Sequence, residues 1–142
     1  MTTFRHTAYS SETDYLTIGL NALGIDGVVL GDAIDNSSNR HKYCKVQIQL
    51  ASVDLSSQSS PGIKIRLIET IDGGTVYEDN DDKAWAITLP IAATNAAHVR
   101  IGALEIPPSN FKLAVVNDTG VALAATGNVL SYVTFTEEDD AA

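Results

Sequence analysis

Hydrophobic and polar residues alternate along most of this chain with a period of two. The clearest alternation covers residues 43–50, where apolar side chains occupy the even positions and more polar side chains the odd positions. This period places successive side chains on opposite faces of an extended strand, so it predicts strands with one buried face. Runs of this kind predict eight strands, at residues 15–18, 28–30, 43–50, 63–67, 85–89, 99–106, 111–115 and 129–135.

Turn-forming residues separate the predicted strands. Residues 117–120 read NDTG and residues 126–128 read TGN, and both lie between runs of strand formers. The only helix candidate, residues 90–97, has a Thr-Asn centre that suits a turn at least as well. The sequence therefore predicts an all-β fold, an antiparallel two-sheet β-sandwich of jelly-roll-like type with about eight strands. Strands 43–50 and 63–67 are expected to pair as neighbours.

The length of 142 residues suits one domain. Residues 1–14 are polar and without a period, which indicates an extended N-terminal arm before a β-sandwich domain at residues 15–136. Residues 137–142 read EEDDAA and form an acidic tail. Because Cys44 is the single cysteine, it has no internal disulfide partner, and an intracellular folding environment is expected.

The charge of the chain bears on its partners. A net charge of -9 repels a phosphate backbone, and the nine Lys and Arg residues are scattered rather than clustered. Direct binding to nucleic acid is therefore not expected. No apolar run is long enough for a membrane span, and the first residues lack the apolar segment of a signal peptide. No membrane association is predicted.

No combination of residues in the sequence indicates catalysis. His6, His41 and His98 are far apart, and none has a second His or a Cys at metal-binding spacing. The serines lack the G-x-S-x-G and S-x-x-K patterns of known nucleophiles. Cys44 falls on the inward face of its strand, where core packing is the expected role. We expect a protein that is not an enzyme and that carries no cofactor.

Two features point to ligand binding, each with a plainer alternative. Asp79, Asp81 and Asp82 gather carboxylates in one loop, as a calcium site requires, but the spacing departs from the EF-hand loop and an exposed acidic loop is favoured. Trp85 and Tyr77 form a candidate platform for stacking against a sugar, with core packing of Trp85 as the favoured interpretation.

Several segments resemble small structural proteins of tailed bacteriophage particles. They are residues 28–37 (VVLGDAIDNS), 43–50, 106–112 (IPPSNFK), 116–120 (VNDTG) and 122–128 (ALAATGN). The resemblance covers most of the chain and consists of turn and strand features rather than reactive groups. It implies a β-sheet component of the head or tail, with a capsid decoration (cement) protein on the exterior of the virion as the favoured role.

The same resemblance implies a non-enzymatic protein that binds the major capsid protein, stabilises the head and forms a homotrimer. Polar termini are usually disordered unless something holds them, so we hypothesise that the arm contacts neighbouring subunits through Phe4, Arg5 and Tyr9. The alternative interpretation is a tail or surface module that binds a host glycan through Trp85, Tyr77 and the acidic loop between them, with or without calcium.

Overall fold

The computed structural model describes residues 3–79 and 85–139. Every regular element in these two ranges is a β-strand, and they contain no helix that is long and apolar enough to cross a membrane. The strands are β1 (Phe4–His6), β2 (Thr13–Leu16), β3 (Val28–Leu30), β4 (Ile34–Asp35), β5 (Tyr43–Asp54), β6 (Gly62–Glu69), β7 (Ile87–Pro90), β8 (Asn95–Glu105), β9 (Asn110–Asp118), β10 (Val129–Phe135) and β11 (Glu137–Asp139).

Two antiparallel sheets form the body of the protein. One has the strand order β2-β10-β5-β8 and the other the order β3-β9-β6-β7, with the short β4 also paired to β9. When β1, β4 and β11 are left aside, the remaining strands, numbered along the chain, have the orders 1-8-3-6 and 2-7-4-5. Strands that follow each other in this numbering lie in opposite sheets, except for β6 and β7, which are neighbours in one sheet. This pattern of connections is the jelly-roll arrangement. The predicted sandwich is confirmed, and its eight predicted strands correspond to these eight.

The two sheets enclose one hydrophobic core. The buried side chains of β5, among them Cys44, Val46 and Ile48, meet buried side chains of β6, β9 and β10. Burying one aliphatic or aromatic side chain of this kind contributes about 1.5–3 kcal/mol, so this shared interior holds the sheets together. The largest fully buried core side chains are those of Leu20, Ile48, Leu55, Ile63, Ile65, Phe111, Leu113 and Leu130.

One pairing expected from the sequence is wrong. β5 pairs with β8 and β10, whereas β6 pairs with β7 and β9, so the two strands lie in opposite sheets. Alternation shows which face of a strand is buried, but both sheets of a sandwich bury one face, and the pattern therefore does not identify the partner strand. Residues 55–61 carry the chain from one sheet to the other instead of closing a hairpin.

The two ends of the chain pair with each other. β1 and β11 form a separate two-stranded antiparallel sheet, in which Arg5 is opposite Glu138. The Arg5 Nε donates to a Glu138 carboxylate oxygen at 3.0 Å. The segment interpreted as an arm thus contains strand β1 and the start of β2, and β2 itself forms the edge of the four-stranded sheet beside β10.

A buried asparagine joins two loops to β9. The Asn117 side chain is fully buried, and its Nδ2 donates to the backbone carbonyls of Leu23, Gly24 and Val121 at 2.9, 3.1 and 2.8 Å. Its Oδ1 accepts from the N–H and the hydroxyl of Thr119. An amide nitrogen has two hydrogens, so one of them is shared between two carbonyls. This side chain fixes both loops against the same strand.

Candidate functional site

The segment between β1 and β2, residues 7–12, lies along the end of β10 and is called the strap here. Thr7 and Ser10 hold it by the same two-point contact. The backbone N–H of Ser10 donates to the Thr134 carbonyl at 2.9 Å, and its hydroxyl accepts from the Thr134 N–H at 2.8 Å. Thr7 makes the equivalent pair of bonds with Thr136 at 2.8 and 2.9 Å. The strap therefore has a defined position on the sheet.

Tyr9 projects from the strap over the outer face of the four-stranded sheet. Its ring centroid is 5.3 Å from that of Phe135, and the Lys45 Nζ donates to its hydroxyl at 2.7 Å. The Nζ is also 5.2 Å from the Tyr9 ring centroid. Because the ammonium is bonded to the hydroxyl end, it lies beyond the ring edge rather than over the ring face. Tyr9 keeps 54 % of its surface exposed, so aromatic surface remains available to a ligand.

The outer face of the four-stranded sheet presents a polar row between two less polar rows. The central row, here called the amide row, consists of Lys45, Gln47 and Gln49 on β5. The partners in register are Ala103, Ile101 and Val99 on β8 and Val133, Ser131 and Val129 on β10. Val99 and Ile101 are each 57 % exposed. In the part of the chain that the structure describes, neither Gln side chain makes a hydrogen bond, so both amides can donate and accept.

A pocket of about 170 Å³ opens where the strap meets this face. Tyr9 and Glu12 line it from the strap, Gln47 and the buried Ser131 from the sheet, and Ile101 from the edge strand. Aromatic and aliphatic surface is thus combined with amide, hydroxyl and carboxylate groups. Pockets of this composition suit ligands that have both apolar and hydrogen-bonding surface. The pocket and the amide row together are called the sheet groove below.

The arm residues expected to contact a partner are all at the surface. Phe4 is 70 % exposed on β1, while Arg5 binds Glu138 between the paired chain ends. Only Tyr9 belongs to the sheet groove. The structure therefore does not bring the three residues into one site, and their contact with a neighbouring subunit stays a prediction.

Trp85 and Tyr77 lie against cations on the outer face of the second sheet. The guanidinium carbon of Arg66 is 3.9 Å from the Trp85 ring centroid, and the Lys112 Nζ is 4.3 Å from the Tyr77 ring centroid. Both rings are half-buried, and neither belongs to the core cluster. A cation at this distance occupies the face of the ring, so these rings offer a sugar less aromatic surface than Tyr9 does.

The candidate calcium site falls mostly outside the described residues. Asp79 is described and exposed, whereas Asp81 and Asp82 lie outside the described ranges. Across residues 3–79 and 85–139, no group of three or more His, Cys, Asp or Glu side chains is placed to hold a metal ion. The calcium hypothesis at Asp81 and Asp82 stays a prediction.

The remaining candidate reactive group is unsuited to nucleophilic chemistry. Cys44 is fully buried, and this burial raises the pKa of its thiol to about 12. Because the thiolate is the nucleophilic form, a thiol with this pKa is unreactive at neutral pH. This agrees with the core position expected from the sequence.

Sequence reasoning missed Gln47, Gln49 and Ser131. Gln47 and Gln49 lie on the polar face of a predicted strand, a position that usually indicates contact with solvent alone. Two long amide side chains two residues apart must project from one face, and this was the available signal. Ser131 and Ile101 join them only through strand pairing, which the alternation does not specify.

No protein-family model matches this chain, and no curated protein matches it. Among solved structures, the chain is similar to TmCBM27, a carbohydrate-binding module whose description names specific mannan recognition. Their sequences are 11 % identical, the match covers 93 % of this chain and 98 % of the other, and the TM-score is 0.49.

Two further structures are similar over most of this chain. A family 35 carbohydrate-binding module from an environmental isolate is 14 % identical, with 92 % of this chain and 90 % of the other covered and a TM-score of 0.46. Xyl-CBM35, solved with a disaccharide that contains glucuronic acid, is 9 % identical, with 98 % of each chain covered and a TM-score of 0.45. The strand order itself, and not these distant likenesses, establishes the jelly roll.

Proposed function

We propose that this chain is a non-catalytic binding module that takes a carbohydrate in the sheet groove. The observation that carries the proposal is the amide row, in which Gln47 and Gln49 have no hydrogen bond among the described residues and lie between two less polar rows. Tyr9 adds an aromatic ring at one end of this row. The groove therefore offers hydrogen-bonding groups flanked by apolar surface.

A sugar ring has matching properties, because it carries hydroxyl groups around its edge and C–H groups on its faces. The amides of Gln47 and Gln49 can each donate to one hydroxyl and accept from another. The C–H faces of the ring pack against aromatic or aliphatic side chains, which Tyr9 and Ile101 provide. This division of roles requires no bound metal and no reactive group.

The dimensions and charge of the groove narrow the class of glycan. From Lys45 to Gln49 the strand advances roughly 14 Å at about 3.4 Å per residue, which suits an oligosaccharide better than one sugar. Lys45 and Glu12 have opposite charges, so the lining of the pocket carries no net charge. The net charge of -9 disfavours acidic polysaccharides by long-range repulsion, and a neutral glycan is the expected ligand.

The same lining argues against hydrolysis of that glycan. Glycoside hydrolases generally use two carboxyl groups, held about 5–9.5 Å apart, as acid and as nucleophile or base. Among the described residues that line the pocket, Glu12 is the sole carboxylate. The groove therefore supports binding without cleavage.

The test begins with an array of neutral and acidic glycans, followed by calorimetry with the best ligand. Replacing both Gln47 and Gln49 by Ala should weaken binding about tenfold or more, because each substitution removes hydrogen bonds worth about 1 kcal/mol. Gln58→Ala, in the loop 55–61 away from this face, is the matched control and should bind normally. Absence of any array signal, or full affinity in the double variant, would contradict the proposal.

The expectation of a capsid decoration protein, bound to the major capsid protein as a homotrimer on the virion exterior, stays a prediction. Two measurements bear on it directly. Particles that lack this chain should release their genome at a lower temperature than complete particles, and the free protein should sediment as a trimer. Unchanged heat tolerance would count against a cementing role, whatever the groove binds.

A further inference from the structure

The strap also lines a second pocket, of about 220 Å³, which it shares with residues 34–39 and the end of β10. This strap-side pocket differs from the sheet groove in its polarity, since every lining residue except Ile34 has a polar side chain. The lining residues are Ser10, Ser11, Thr13, Ile34, Asp35, Asn36, Asn39, Tyr132 and Thr134.

One part of the pocket wall is fixed by hydrogen bonds within the protein. Asn36 is only 2 % exposed, and its Nδ2 donates to the carbonyls of His41 and Pro107 at 2.8 and 2.7 Å. Its Oδ1 accepts from the His41 N–H at 3.0 Å. The Thr134 N–H donates to the Ser10 hydroxyl of the strap, and the Thr134 Oγ1 lies 2.7 Å from the His41 Nδ1. This wall is preorganised, which lowers the entropy cost of binding.

The other part of the wall carries polar side chains that make no hydrogen bond within the described part of the protein. Within the ranges described, the side chains of Ser11, Thr13, Asn39 and Tyr132 make no hydrogen bond. The Tyr132 ring is nevertheless held in place, because it packs edge-on against Tyr15 with ring centroids 5.8 Å apart. Two aliphatic hydroxyls, an amide and a phenol are therefore available to a ligand.

Asp35 adds an acceptor with a fixed orientation. Its Oδ1 accepts from the Ser37 hydroxyl at 2.6 Å and from the Ser37 N–H at 2.9 Å. These two bonds, the hydroxyl first, hold the pKa of the carboxyl below its ordinary value, so the group is ionised at neutral pH. Among the described groups no hydrogen bond is made by its other oxygen, which can accept from a ligand.

We propose that the strap-side pocket, which has only Tyr132 in common with the lining of the sheet groove, is a second binding site for a compact polyhydroxylated ligand such as a single sugar residue. A polyol donates to Asp35 and accepts from Asn39 and Tyr132, so it satisfies both kinds of group. An anion is repelled by Asp35. Calcium is a poor match, since its protein sites usually use several carboxylates and this lining supplies one.

Two-dimensional ¹⁵N–¹H NMR of the full chain tests this proposal. Glucose, galactose, mannose and N-acetylglucosamine are titrated separately into the high millimolar range. At least one should cause saturable shifts of the backbone amides at residues 10–13 and 35–39. Asn39→Ala and Tyr132→Phe should each raise the dissociation constant about threefold or more, which corresponds to the loss of roughly one hydrogen bond. Asn95→Ala, exposed at the start of β8, is the matched control.

The outcomes separate this site from the sheet groove. The Gln47→Ala and Gln49→Ala double variant should leave these shifts unchanged. Sugar binding in the strap-side pocket can therefore be observed even if the sheet groove binds no glycan. The proposal is overturned if no sugar gives saturable shifts, or if Asn39→Ala and Tyr132→Phe bind as the unchanged protein does. It is also overturned if calcium chloride alone shifts the same amides, because the pocket would then be a cation site.

Discussion

Tyr9 and Lys45 are hydrogen-bonded to each other, with the Lys45 Nζ 2.7 Å from the Tyr9 hydroxyl. The bond joins the strap to the centre of the four-stranded sheet, across a sequence separation of 36 residues. It places the Tyr9 ring at the end of the amide row. The groove is therefore assembled from the strap and from three strands of the sheet, and its aromatic wall depends on the strap being docked.

Two substitutions at Tyr9 distinguish the contribution of its ring to glycan binding from that of its hydroxyl. Tyr9→Ala should weaken glycan binding by roughly three- to tenfold, because aromatic packing contributes about 0.5–1.5 kcal/mol beyond the buried area. Tyr9→Phe keeps the ring and removes only the contact with Lys45, so it should retain most of the affinity. Calorimetry with the same oligosaccharide measures both. Equal affinity of Tyr9→Ala and the unchanged protein would show that the ring takes no part in binding.

Asn117 makes a stability prediction independent of any ligand. Asn117→Ala removes the bonds to three carbonyls and to Thr119, so the buried Thr119 N–H loses its acceptor and each carbonyl loses one of its two donors. The free energy of unfolding should fall by about 2–4 kcal/mol. Urea denaturation measures this, with Asn95→Ala as an exposed control that should change stability by less than about 0.5 kcal/mol. A loss near that of the control would contradict the role given to Asn117.

The alternation of side chains predicted which residues form strands, and the reason is visible in β5. Cys44, Val46 and Ile48 are fully buried while their neighbours face solvent, because a strand on one sheet of a sandwich has one dry face. The same local rule does not determine pairing. Ile63 and Ile65 have the same pattern, yet they face the core from the opposite sheet.

The candidate site was harder to predict than the fold. Gln47 becomes part of a pocket only because β8 and β10 bring Ile101 and Ser131 beside it and because the strap places Tyr9 above it. Each of these contacts joins residues far apart in sequence. The residue type of Trp85 indicates either a sugar platform or, as the favoured interpretation, core packing, but its ring lies outside the core cluster and packs on Arg66 on the other sheet.

The stability of the protein should fall in acid, and Asp72 identifies one cause. Its Oδ1 accepts from the N–H groups of Val76 and Thr75 at 3.0 Å each and from the Thr70 hydroxyl at 2.7 Å. These bonds, the Val76 N–H first, hold the pKa of the carboxyl below its ordinary value of 3.8. A carboxyl with a lowered folded-state pKa stabilises the fold above its unfolded-state pKa, and this contribution is lost as pH falls through the folded-state pKa.

Asp72→Asn tests whether this contribution to stability is lost as the pH falls. At neutral pH the variant should be less stable than the unchanged protein, because it lacks the carboxylate. The difference should shrink below the ordinary aspartate value of 3.8, where the unchanged protein also loses this charge. Urea unfolding at neutral and acidic pH measures the free energy of unfolding of both proteins. A difference that stays constant with pH would mean that ionisation of Asp72 does not contribute to stability.

Cys44 should report on opening of the core. Burial raises the pKa of its thiol to about 12, and the side chain is fully enclosed between the sheets. A thiol-specific reagent at neutral pH should therefore leave the native protein unlabelled and should react fully in concentrated urea, where the pKa returns to an ordinary value. Because Cys44 is the only cysteine, each labelling event reports this single position.

Under native conditions the labelling rate of Cys44 should rise in Asn117→Ala, since the destabilised variant visits open states more often. Rapid labelling of the unchanged protein would mean that the two sheets separate locally far below the free energy of global unfolding.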